Sequence, residues 1–100
     1  MSNYVLSFRN RSDRTTDANA EAEWGQWFQE IGGAIVDFGH RVGRVSALGN
    51  ARSKTDGDEA LSGYVVITAD DLESAVAVAS GCPGLRHGCG VEVGEAIDAS

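Results

Sequence analysis

Few side chains in this chain are suited to chemistry. His40 follows Asp37-Phe-Gly, and His87 sits within Cys82-Pro-Gly-Leu-Arg-His-Gly-Cys-Gly. Histidine is the side chain best suited to moving a proton near neutral pH. A carboxylate such as Asp37 can orient an imidazole. On a continuous strand, Asp37 and His40 would point to opposite faces. Gly39 between them can bend the chain and bring them back together. Each histidine can equally be a solvated loop residue. Arg9, at the end of a strand-like segment, has the planar fork that grips a carboxylate. Trp27 can border a pocket, where an indole N–H finds a partner, while Trp24 reads as core.

These residues need a scaffold, and periodicity supplies one. Tyr4 to Phe8 alternates as a strand, with Tyr4, Leu6 and Phe8 on one face. Ala20, Trp24, Trp27, Phe28, Ile31 and Ile35 form the stripe of an amphipathic helix, which Thr16 or Asp17 can cap. Gly32-Gly33 ends it. Ala34 to Phe38 reads as a second strand. Val45 to Leu48 suggests a short extended piece, and residues 50–60 a flexible loop. Gly63 to Ala69 is apolar on both faces and reads as a central strand. Asp70-Asp-Leu-Glu resembles a capping box, with Asp70 as cap of a helix whose stripe is Leu72, Ala75, Val76 and Ala79. Gly81 and Pro83 stop it. Gly90 to Val93 closes the chain as a strand.

Two βαβ halves in series predict one α+β domain over residues 1–100, of the ferredoxin-like split βαβ plan (βαββαβ). Both helices then cover one sheet face. The strands are apolar on both sides, with Tyr64, Val66 and Thr68 opposing Val65 and Ile67, and Tyr4, Leu6 and Phe8 opposing Val5 and Ser7, and a bare apolar face is unusual on a monomer. A homodimer built sheet to sheet is the expectation.

Composition removes several functional classes. Fifteen acidic residues face eight basic ones, a net charge of −7, and such a surface repels phosphate, so no nucleic-acid partner is expected. No segment reads as a signal peptide or a membrane span. Cys82 and Cys89 have six residues between them, without the spacing or further ligands of a zinc site. Free thiols in a reducing cytoplasm, with no metal and no cofactor, are expected. The glycines near residue 84 match no phosphate-loop motif.

Four segments carry a family likeness: Trp24-Gly-Gln-Trp-Phe, then Ile35-Val-Asp-Phe-Gly-His, then Leu61-Ser-Gly-Tyr-Val-Val-Ile-Thr-Ala-Asp-Asp-Leu-Glu-Ser-Ala-Val, then Gly81-Cys-Pro-Gly-Leu-Arg-His-Gly-Cys-Gly-Val-Glu-Val. On these the chain resembles the YCII-related (DGPF) family over nearly its whole length. The resemblance implies a dimeric α+β barrel. It also implies a distant likeness to muconolactone isomerase-like enzymes, and an active site built on a His–Asp pair. Carried over, Asp37 is the acidic member and His40 or His87 the basic one. Where many members carry Asp-Gly-Pro-Phe, this chain has Asp56-Gly-Asp-Glu. Two functions follow as expectations. One is an enzyme moving a proton on a small molecule, with Arg9 and Trp27 bordering the substrate. The other is a non-catalytic small-molecule-binding or dimeric interaction module.

Overall fold

Period-two alternation decides which side of each strand is buried. In the computed structural model, which describes residues 1–11, 18–43, 46, 48–49 and 59–97, strand β1 spans Ser2–Arg11 and strand β3 spans Glu59–Ala69. Tyr4, Leu6 and Phe8 of β1 are buried, as are Val65, Ile67 and Ala69 of β3. The alternate residues Val5, Ser7, Tyr64, Val66 and Thr68 are only half-buried. The two strands pair antiparallel, with Tyr4 opposite Ile67 and Leu6 opposite Val65. Strand β4 (Gly90–Glu95) pairs with the other side of β1, and strand β2 (Ile35–Asp37) with the other side of β3. The sheet order is β2-β3-β1-β4. The result is a small α+β arrangement, a four-stranded antiparallel sheet with two helices, compatible with the split βαβ plan.

Both helices serve one face. Helix α1 (Ala18–Glu30) brings Trp27, Trp24 and Phe28 to the core; helix α2 (Leu72–Ala79) brings Ala75, Val78 and Ala79. They pack on the same cluster of Tyr4, Leu6, Phe8, Val65 and Ile67. Leu6, Val65 and Ile67 are fully enclosed, and each contributes about 1.5–3 kcal/mol on burial. Among the described residues, no helix packs on the opposite sheet face. Its valines, Val5 and Val66, are cross-strand partners, but Ser7, Thr68 and the Arg9–Glu92 ion pair break up the surface around them.

Several boundaries differ from expectation. Asp71, not Asp70, caps α2: its backbone is extended and its carboxylate accepts from the Ser74 amide at 2.8 Å. Adjacent aspartates offer two caps, and the residue whose side chain reaches the free amide takes the role. Strand β2 is only three residues, because Gly32–Ala34 coils as a 3-10 turn before it. Strand β3 begins earlier, so Glu59 and Ala60 belong to a strand, and β4 runs on to Glu95. The caps expected at Thr16 or Asp17, Val45 and Ala47 of the expected extended piece, and residues 50–58 of the expected loop lie outside the described residues. No helix among the described residues is long and apolar enough to cross a membrane.

Candidate functional site

The site begins where β2 ends. The Asp37 carboxylate turns back and accepts a hydrogen bond from the Gly39 amide at 2.9 Å. Gly39 then takes a left-handed backbone, φ 65°. A Cβ there would collide with the Tyr64 carbonyl oxygen and come within 2.8 Å of the Tyr64 ring. Only glycine fits both the backbone angle and the space. The bend anticipated between Asp37 and His40 therefore exists, and it lays the chain against β3.

Past the bend the chain rejoins the sheet edge. The Tyr64 amide donates to the His40 carbonyl at 3.2 Å, and the Val42 amide donates to the Ser62 carbonyl at 2.9 Å. Arg41 forms a bridge with Gly63. A Cβ on Gly63 would sit 3.2 Å from the His40 carbonyl oxygen, so this glycine lets residues 40–41 approach closely. His40 is thus held on both sides by backbone. Its Nδ1 lies 3.0 Å from the Tyr64 hydroxyl. Which of the two donates depends on the imidazole tautomer.

Beside this pair opens a cleft of about 600 Å³, a size that suits a small molecule. Helix α1 lines it with Glu21, Trp24 and Phe28, spaced three and four apart and so on one helical face. Phe8 comes from β1, and Phe38, His40 and Arg41 from the segment after β2. The rings touch in sequence: Phe8 and Trp24 meet edge to face with centroids 5.0 Å apart, Trp24 and Phe28 at 5.9 Å, Phe28 and Phe38 at 6.4 Å.

Neither a family model, nor a curated protein, nor a solved structure matches this chain. The site is therefore read from its own geometry.

The expected site residues fall in different places. His40 lines the cleft. Asp37 is exposed at its approach, bonded to the Gly39 amide. His87 ends the 3-10 turn Pro83–His87 ahead of β4, and its side chain lies outside the described residues. The row Arg41–Gly63–Phe8–Val91 crosses the whole sheet. The segment carrying His40 therefore joins the sheet at its β3 side, whereas the turn carrying His87 leads into β4 at the opposite edge. Arg9 sits on the helix-free face, its guanidinium 2.8 Å from Glu92. Trp27 is buried, 4% exposed, beside a small depression shared with Glu30 and Arg86; Trp24 is the indole that lines the cleft. Among the described residues, no three His, Cys, Asp or Glu side chains gather as a metal site.

Sequence reasoning passed over Tyr64 and Arg41. Tyr64 is 24 positions from His40, and only the pairing of Arg41 with Gly63 brings them together. The signal available was Gly63 next to Tyr64, a small residue where another backbone can come close.

Proposed function

We propose that this domain moves a proton on a small carbonyl-bearing molecule held in the cleft, with His40 as the base and Tyr64 as its partner. The observation that carries this reading is the 3.0 Å contact of His40 Nδ1 with the Tyr64 hydroxyl beside an aromatic-walled cleft. When Nδ1–H donates to the Tyr64 oxygen, the Nε2 lone pair is left to accept a proton. The C–H bond next to the carbonyl breaks. Its proton goes to Nε2, and its electron pair moves to the carbonyl oxygen as an enolate. The Tyr64 hydroxyl, still a donor, stabilises that oxygen. Return of the proton to the same carbon gives exchange, and to a conjugated carbon gives isomerisation. No electron is gained or lost, so the step needs no redox cofactor. Asp37 is a positioning residue here, because it fixes the turn that aims His40. The likeness to the YCII-related family, with its His–Asp pair, supports an acid–base role for this segment. His87 is the second candidate for the base.

The ferredoxin-like and dimeric reading belongs to the same proposal. The order β2-β3-β1-β4 supports the first. The helix-free face, with exposed Val36 and half-buried Val5 and Val66, supports a homodimer. Sedimentation equilibrium at micromolar concentration is expected to give two copies; a monomer contradicts it. Free Cys82 and Cys89 support a reducing, cytoplasmic setting.

A second reading, ligand holding without turnover, is favoured by one contact: the Asp37 carboxylate engages the Gly39 amide rather than an imidazole. A crystal structure grown with a mixture of small carbonyl compounds separates the two. Density with a carbonyl-bearing carbon in reach of His40 Nε2 supports proton transfer. A ligand bound away from the His40 ring, or an empty cleft, counts against it.

A further inference from the structure

Half of the residues that line the cleft carry rings, and one of these rings is left open. Phe38 is 68% exposed, although Phe28 lies beside it at 6.4 Å. An aromatic ring open at a cleft edge gains most when a flat apolar surface covers it. Two charged residues, Glu21 and Arg41, are among those that line the cleft. Glu21 sits in the first turn of α1, where its carboxylate already faces the positive end of the helix dipole. Arg41 adjoins His40 in the chain and lines the cleft with it. Among the described residues, Arg41 makes no ion pair, whereas Arg9 is neutralised by Glu92 and Arg86 by Glu23. An arginine fork without a carboxylate, at the reacting end of an aromatic cleft, suits an anionic planar group. The chain as a whole carries −7, so its overall field does not draw anions in, and the attraction must be local to Arg41.

Resting on the proton-transfer reading, we propose that the cleft takes a small ring-bearing carboxylate. The ring lies against Trp24, Phe28 and Phe38, and the carboxylate meets Arg41, which sets its carbonyl-bearing side beside His40. Arg41 is then a specificity residue and Phe38 a cover for the ring.

The test is an NMR titration of the full chain with three probes: phenylacetate, acetate and benzylamine. Phenylacetate is expected to shift the Trp24 indole and the Gly39 to Arg41 amides, while acetate, lacking the ring, leaves them in place. Arg41→Gln is expected to weaken phenylacetate by about tenfold, the worth of one charged hydrogen-bonded contact. Arg41→Lys, which keeps the charge but loses the fork, falls between. Arg41 is exposed, so its replacement leaves the fold intact. Three results overturn the proposal: benzylamine binding in preference and weakening with Glu21→Gln, phenylacetate affinity indifferent to Arg41→Gln, or no probe moving these resonances. Failure of the acid–base reading looks different. His40→Gln would then leave proton exchange unchanged, whatever the titration shows.

Discussion

The His40 imidazole and the Tyr64 hydroxyl meet at 3.0 Å, joined by a backbone hydrogen bond between the same two residues at 3.2 Å. A side-chain contact doubled by a main-chain contact fixes the relative position of both rings. The edge of β3 thus acts as a template for the catalytic candidate. The pair depends on Gly39, which turns the chain, and on Gly63, which lets it approach.

Gly39→Ala is expected to break that arrangement. Its Cβ meets the Tyr64 carbonyl, and a left-handed alanine alone costs on the order of 1–2 kcal/mol. Urea denaturation should show a loss of at least that size. The His40 ring resonances should also move away from their wild-type positions. Unchanged stability and unchanged resonances would show that the chain does not cross Tyr64 so closely.

Trp27→Ala is expected to be the most damaging single change in α1. The side chain is buried and touches Trp24, Phe28 and Phe8, and truncating such a residue costs about 3–5 kcal/mol. That is a large part of the roughly 5–15 kcal/mol that holds a domain together. Glu92→Ala, which removes the exposed partner of Arg9, should cost less than about 1 kcal/mol. Denaturant midpoints rank the two.

Much of this core was legible in the sequence, because alternation in β1 and β3 and the stripe of α1 each have one solution that buries apolar side chains. Tyr4, Leu6 and Phe8 share a buried face as their spacing predicts. The site was less legible. His40 stands out as a residue type, but its partner comes from strand register, and register between β2 and β3 is irregular near Asp37. The two indoles show the same limit. Trp24 and Trp27 lie three apart on one stripe, and only the position of α1 over the sheet decides which lines the cleft. The choice of Asp71 over Asp70 turns on a single residue of backbone geometry that composition does not encode.

Asp71 gives the acid end of the stability curve. Hydrogen bonding from Ser74 holds its carboxyl below the ordinary value of 3.8. Its contribution is present above that value and is lost as pH falls through the lower folded-state value. Asp71→Asn should keep the cap at neutral pH and remove this acid dependence, while Asp71→Ala loses both. Thermal midpoints measured across the acidic range check the difference.

Cys82 gives the alkaline end. Burial pushes its thiol above the ordinary 9.0, against the lowering effect of the Gly84 and Leu85 amides. The folded chain therefore keeps that proton longer than the unfolded chain does. The resulting stability is present below pH 9.0 and falls as pH rises through the folded-state value. Cys82→Ala should flatten the alkaline slope in urea denaturation. In the native protein, iodoacetamide should label the less buried Cys89 well before Cys82.

The most direct test of the central claim is carbon-proton exchange in deuterated water, followed by NMR on a panel of small cyclic and aromatic carbonyl compounds with the purified chain. Protein-dependent exchange is predicted for at least one compound. His40→Gln should abolish it, and Tyr64→Phe should reduce it by roughly 10²-fold, at the lower end of what a positioned acid–base group contributes. Exchange that survives His40→Gln unchanged, or a complete absence of exchange across the panel, would contradict the account and leave the cleft as a binding site without chemistry.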